Sequence, residues 1–151
     1  MNDSDGLYRF ALRLTKNEDH AKDLVQDAFE RVWVKHKDID VAKVKSYLFR
    51  IVHNSFIDFT RKKKTISLES QVEHILNYNL ENPDVSQQLQ QALDKLPDMQ
   101  KSAVLLRDYE GYNYKEIGQI LGLNEAQVKV YIFRARKQLQ TYIGSIEALI
   151  G

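Results

Sequence analysis

Between Asn113 and Lys137 the chain reads NYKEIGQILGLNEAQVKVYIFRARK. Gln127 and Lys129 stand where the N-terminal end of a groove-inserted helix would offer donors and acceptors to base edges. Arg134, Arg136 and Lys137 follow where cations would meet phosphates. Glu125 and Phe133 share the same outward side. The elements that must hold these side chains are legible beside them. Ile117 and Leu121 face inward on one short helix, and Gly118 is small where two helices must approach. Gly122 supplies a left-handed turn residue, and Leu123 plugs the corner. Asn124 caps the next helix with Gln127 as its capping-box partner, and Val128, Tyr131, Ile132 and Ala135 make that helix's inner face. The spacing predicts a helix-turn-helix. Gly between two amphipathic helices also suits a plain αα-hairpin with a solvated basic face; turn, cap and preceding helix together favour duplex DNA.

A second constellation is KSYLFRIVHNSFIDFTRKKK, Lys45 to Lys64. Its polar face offers Lys45, Arg50, His53, Asn54, Asp58 and Arg61, with Tyr47 and Phe49 near its start. Cations interleaved with rings suit single-stranded DNA, where charge tracks the backbone and rings stack on bases. Asn54 and Asp58, one turn apart, could hydrogen-bond the edge of an extruded base. An ordinary core helix whose basic end complements its dipole reads the same residues without DNA. The third constellation, AKDLVQDAFERVW (Ala21 to Trp33), turns out Asp23, Gln26, Asp27, Glu30 and Arg31, an acidic amphipathic face suited to protein docking or simply to water. Trp33 lies on the apolar stripe of that helix and is expected in the core.

Enzyme chemistry finds little support. His20, His36, His53 and His74 lack HExxH or other metal-ligand spacing. There is no GxxxxGK[ST], GxGxxG or GxSxG. Asp23 and Asp27 lie one turn apart without a second carboxylate helix nearby in sequence, so they read as solvated rather than as a metal pair. With no cysteine, disulfides, thiolate zinc sites and thiol catalysis are excluded. No cofactor or metal is expected.

The positioning elements are all helical. Leu7, Phe10, Ala11 and Leu14 recur at helical spacing. Asn17 can cap a second helix running to about Lys35, with the stripe Leu24, Val25, Ala28, Phe29, Val32 and Trp33. A third helix spans roughly Val41 to Lys63, burying Val44, Tyr47, Leu48, Ile51, Val52, Ser55, Phe56 and Phe59. Helices through Leu89 and Leu93, and from Leu96-Pro97-Asp98 to near Gly111, precede the helix-turn-helix. The fold class is all-α: a three-helix domain over 1–64, a flexible acidic linker over 65–86, and a four-helix domain over 87–151. Charge follows that division. Residues 1–64 hold 14 basic and 10 acidic side chains, 65–100 one and six, and 101–151 seven and five, so two basic lobes flank an acidic middle despite a net charge of only +1. No apolar run approaches the ~18 residues of a membrane span, and a cytoplasmic location without membrane contact is expected.

In order and spacing these motifs resemble the extracytoplasmic-function class of bacterial RNA polymerase sigma factors. AKDLVQDAFERVW resembles region 2.2, KSYLFRIVHNSFIDFTRKKK regions 2.3 and 2.4, and LDKLPDMQKSAVLLRDYEGYNYKEIGQILGLNEAQVKVYIFRARKQL region 4. The resemblance implies a promoter-specificity subunit, not an enzyme. It implies docking on core RNA polymerase through Asp23, Leu24, Gln26, Asp27, Glu30 and Trp33. It implies reading of the melted −10 element by Tyr47, Arg50, His53, Asn54 and Asp58, with Arg61, Lys62, Lys63 and Lys64 on the backbone. Reading of duplex −35 DNA falls on Gln127, Lys129, Tyr131, Arg134, Arg136 and Lys137. Leu105 and Leu106 would face their own core or the polymerase flap tip, and an anti-sigma factor is an expected regulator. The family pattern has about one more helix before Leu7, a Trp at the Tyr47 position, and often Ser and Arg at Val130 and Tyr131. A free-standing helix-turn-helix regulator is the alternative; an anti-sigma or adaptor protein would need no DNA-reading helix.

Overall fold

Residues 2–35, 37–64 and 85–150 are described by the computed structural model, and they form seven α-helices and no strand. The first lobe holds α1 (Asn2–Thr15), α2 (Glu18–Val34) and α3 (Val44–Lys64). The second holds α4 (Val85–Asp94), α5 (Asp98–Val104), α6 (Tyr114–Leu121) and α7 (Glu125–Ile150). The all-α reading, three helices followed by four, is the observed architecture. Of the expected linker, residues 65–84 lie outside the described residues, and Val85 opens α4.

Local chemistry explains where the helices start and stop. Lys16 takes a left-handed conformation (φ 56°) that ends α1, with its N–H donating to Leu12 O at 2.7 Å. Asn17 then caps α2, its Oδ1 accepting from His20 N at 2.9 Å, with Glu18 and Asp19 in the first turn. Asp40 caps a short 3₁₀ turn, Val41–Lys43, which leads into α3. Pro97 occupies the cap position of α5, one residue before the first turn, and its carbonyl accepts from Lys101 N at 2.9 Å. A π turn, Leu105–Tyr109, continues α5.

The first lobe buries Leu7, Phe10 and Leu14 of α1 against Leu24, Ala28 and Val32 of α2 and Leu48, Val52 and Phe56 of α3. Two parts of the expected core differ. Phe29 is 40% exposed and Trp33 74% exposed, because α2 is covered only by α1 and α3 and its buried stripe narrows to Ala21, Leu24, Ala28 and Val32. Phe59 is likewise largely exposed. Conversely, Phe49 and His53 are buried, because the second lobe covers that side of α3. The apolar core therefore runs without a break from Leu7 to Ala135, through both lobes. No helix among the described residues is long and apolar enough to cross a membrane.

Candidate nucleic-acid interfaces and the seam between the lobes

The helix-turn-helix is built as its sequence requires. Asn113 caps α6 in a reciprocal box with Glu116: Asn113 Oδ1 accepts from Glu116 N at 2.8 Å, and Glu116 Oε1 from Asn113 N at 3.2 Å. Gly122 takes φ 73°, ψ 36°, and Leu123 N donates to Gly118 O at 2.9 Å. A Cβ on Gly118 would stand 2.4 Å from Leu123 O, so only glycine lets the turn fold back on α6. A second box caps α7: Asn124 Oδ1 accepts from Gln127 N at 2.8 Å, and Gln127 Oε1 from Asn124 N at 3.0 Å. Val128, Ile132 and Ala135 anchor the inner face.

The outer face of α7 exposes Gln127, Lys129, Val130, Phe133, Arg134 and Lys137. A shallow groove over its first turns is lined by Asn124, Ala126, Gln127, Val130, Tyr131 and Arg134. With Gln127 Oε1 held by the cap, what Gln127 offers a base is its amide N–H₂. Lys129 Nζ lies 5.5 Å from the Tyr114 ring centroid. Tyr131 is half-buried against the core. Arg136 has an intramolecular partner: Nε donates to Asp108 Oδ2 at 3.1 Å and Nη2 to Oδ1 at 2.5 Å, which raises its pKa and ties α7 to the π turn.

On α3, Arg50 and Asn54 are exposed and Tyr47 is half-buried. Asp58 is exposed and paired with Arg61 at 3.0 Å. Tyr47 and Arg50, with Lys43, Ser46 and Gln119, line an open cleft where α3 meets α6. His53 corrects the expected polar face: it is only 3% exposed, with Nδ1 2.8 Å from Ser102 Oγ on α5. Burial pushes its pKa down to about 4, against the opposing charge of Asp98. Lys62 is exposed; the side chains of Lys63 and Lys64 lie outside the described residues.

On α2, Asp23, Gln26 and Glu30 are exposed, and Asp27 pairs with Arg31 at 3.0 Å. Leu24, placed by resemblance among docking residues, turns into its own core. Trp33 goes the other way, joining Phe29, Glu30 and Val34 around an exposed apolar hollow at the end of the helix. No group of three or more potential metal ligands is assembled among the described residues.

The largest feature that sequence reasoning missed is the seam joining the lobes. Arg9 Nη2 donates to Glu110 Oε1 at 3.1 Å, and Arg13 Nη1 approaches Oε2 at 3.7 Å, with the Glu110 side chain 4% exposed. Lys16 Nζ lies 3.0 Å from Asp94 Oδ2, and Gln90 Nε2 donates to Arg13 O at 3.3 Å. Lys16 and Arg13 approach as charges without a well-directed hydrogen bond, leaving Asp94 Oδ2 and Glu110 Oε2 without one. Lys101, buried beside them, donates to Asp94 Oδ1 at 3.0 Å; burial lowers its pKa and Asp94 opposes that. Part of its apolar side is aromatic: Phe49, packed on Phe10 of its own lobe at 5.4 Å, meets Tyr112 of the second lobe at 5.2 Å between centroids. No local sequence signal marks these contacts; Arg9 and Glu110 are 101 residues apart.

Comparison with known proteins follows the same division. Residues 4–66 match the family described as Sigma-70 region 2, and residues 86–139 that described as Sigma-70, region 4. The chain is 36% identical over 149 residues to the ECF RNA polymerase sigma factor SigE of Mycolicibacterium smegmatis, covering 93% of this chain and 58% of that protein. It is 35% identical over 146 residues to the ECF RNA polymerase sigma factor SigM of Bacillus subtilis, covering 93% of this chain and 88% of that one. Its fold is similar to that of sigma factor RpoE from Bartonella quintana, solved with the anti-sigma factor NepR (TM-score 0.74, 24% identity, 95% of this chain and 92% of that one). It is also similar to CnrH, solved with the cytosolic domain of CnrY (TM-score 0.72, 23% identity, 95% and 84%).

Proposed function

The chain belongs to the extracytoplasmic-function class of RNA polymerase sigma factors, and from that premise we propose how its two lobes share the work of promoter recognition. It is a dissociable initiation subunit, active in the cytoplasm, with no catalytic role of its own. The outer face of α2, with Asp23, Gln26, Asp27, Glu30 and the exposed Trp33, docks on core polymerase. α7 carries the holoenzyme to duplex −35 DNA through Gln127, Lys129, Arg134 and Lys137, while Arg136 holds α7 against Asp108. α3 takes the −10 bases once they leave the stack, with Arg50, Asn54 and Asp58 outward and Tyr47 as the ring left at its start after Phe49 is buried. Flipping costs a few kcal/mol per base, offset by stacking at ~1–3 kcal/mol per base. His53 reaches DNA only if α3 leaves α5, so the lobes part when the −10 element is read. An anti-sigma factor is the regulator this reading calls for; the similar RpoE structure was solved with one.

The observation that carries the reading is α7 itself: a capped, glycine-turned helix that exposes the Gln127 amide and the cations Lys129, Arg134 and Lys137. Run-off transcription tests it. Purified chain and core polymerase are given templates randomised at −35 and −10, and transcripts sharing two spaced elements are expected. The paired replacements Lys129→Ala and Arg134→Ala should abolish −35 dependence while core binding stays. A free-standing regulator would instead bind duplex tightly without polymerase, and absence of core binding would remove the reading.

A further inference from the structure

The centre of the outer face of α7 is apolar. Val128, Ile132 and Ala135, at 0–2% exposure, define its inner face. At about 100° per residue, Val130 lies on the opposite side of the helix from all three. It is 45% exposed, with Gln127 and Arg134 on one flank and Phe133 on the other. In a helix seated in the major groove, the side chain opposite the core face goes deepest, so its chemistry selects what it can meet on the groove floor. Valine has no donor or acceptor. Pressed against a base amino or carbonyl group, it would remove water and replace no hydrogen bond, which is unfavourable. The apolar group that the four bases present in the major groove is the C5-methyl of thymine.

We propose that Val130 reads a thymine methyl in the −35 duplex and makes one position of that element thymine-specific. The inference rests on α7 being the −35 reader and adds to it the chemistry of one subsite. The neighbouring Arg134 and Gln127 supply the hydrogen bonds that fix the register, and Val130 supplies the discrimination that no donor can.

Deoxyuridine lacks only that methyl, so the test is a substitution of one group. Holoenzyme made from the full chain and core polymerase is bound to a promoter recovered from the randomised pool, and each −35 thymine on either strand is replaced in turn by deoxyuridine. One position is expected to lose about fourfold in occupancy, the scale of one methyl-sized apolar group returned to water. In Val130→Ala the two duplexes should bind alike at that position, while losses from changing neighbouring base pairs persist. Because Val130 is exposed, the variant should melt as the parent does. The proposal is overturned if every deoxyuridine is neutral, if the penalty is undiminished in Val130→Ala, or if the recovered element holds no thymine on either strand. Those outcomes leave the reading of α7 in place so long as Lys129→Ala with Arg134→Ala abolishes −35 dependence. If that pair leaves −35 dependence intact, the reading of α7 falls and takes this inference with it.

Discussion

Acid should open the seam between the lobes, and His53 sets the window. In the closed arrangement its ring is 3% exposed and its pKa is lowered by burial to about 4, from an ordinary 6.5 once it meets water. The open form therefore binds the proton more tightly. The closed form keeps its full advantage above about pH 6.5 and loses it progressively as pH falls towards 4. At pH 5 an exposed His53 is almost wholly protonated and a buried one about one-tenth so. The open-to-closed ratio thus rises about thirtyfold from pH 8 to pH 5, or about 2 kcal/mol. Asp98 is the charge that opposes this by stabilising a buried imidazolium.

The chain has no cysteine, so cysteines placed at the exposed Lys22 on α2 and Gln138 on α7 would carry spin labels at unique sites. Pulsed dipolar distances between the lobes should be short and narrow at pH 8, with a longer population growing as pH falls to 5. Helix content by circular dichroism should stay constant, separating opening from unfolding. His53→Gln keeps a hydrogen-bonding group near Ser102 but does not titrate, and its distances should not change over the same range. A pH response in His53→Gln equal to that of the parent would refute the reasoning. So would an unchanging parent.

Two further outcomes follow from single residues. Gly118→Ala places a Cβ against the Leu123 carbonyl, and should lower the stability of the second lobe by about 1–3 kcal/mol in thermal melting; an unchanged melt would mean the turn has room. Trp33→Ala removes a ring that is 74% exposed, so stability should move by less than about 0.5 kcal/mol while affinity for core polymerase falls at least about tenfold; equal affinity would remove Trp33 from the docking face.

What was legible in the sequence was whatever short stretches decide. Asn113, Gly118, Gly122, Asn124 and Gln127 lie within 15 residues, and each obeys a local rule of capping or backbone conformation that neighbouring side chains also favour, so the helix-turn-helix could be read directly. α2 was legible as a helix but not in which of its apolar residues are buried. Phe29 and Trp33 fit the period as well as Val32 does, and only the presence of two covering helices rather than three leaves them out. His53 and Phe49 failed in the opposite sense. Their burial depends on Ser102 and Tyr112, about 50 and 60 residues away along the chain, and no periodicity within α3 reports a partner at that distance. The exposed cations of α7 were read directly but Val130 at the centre of that face and the Asp108 partner of Arg136 were not, whereas the face of α3 was read as if the second lobe did not exist.

The make-up of that seam bears on why the lobes should part at all. A seam of aliphatic side chains would resist opening in proportion to the area it hides. Here Arg9, Arg13 and Lys16 keep appreciable contact with water while meeting Glu110 and Asp94. Such pairs exchange protein for solvent at nearly equal free energy, and partly exposed ones contribute little. Opening would also give up the Tyr112 ring on Phe49 and the rest of the apolar core that the lobes share. On the proposed reading, anything that binds only the open form is weakened by the fraction of chains that are open. The closed state joins those ion pairs to a shared apolar core, so the penalty is set by both. That state covers His53 and that side of α3 until core polymerase or unpaired −10 bases compensate for the loss of those contacts.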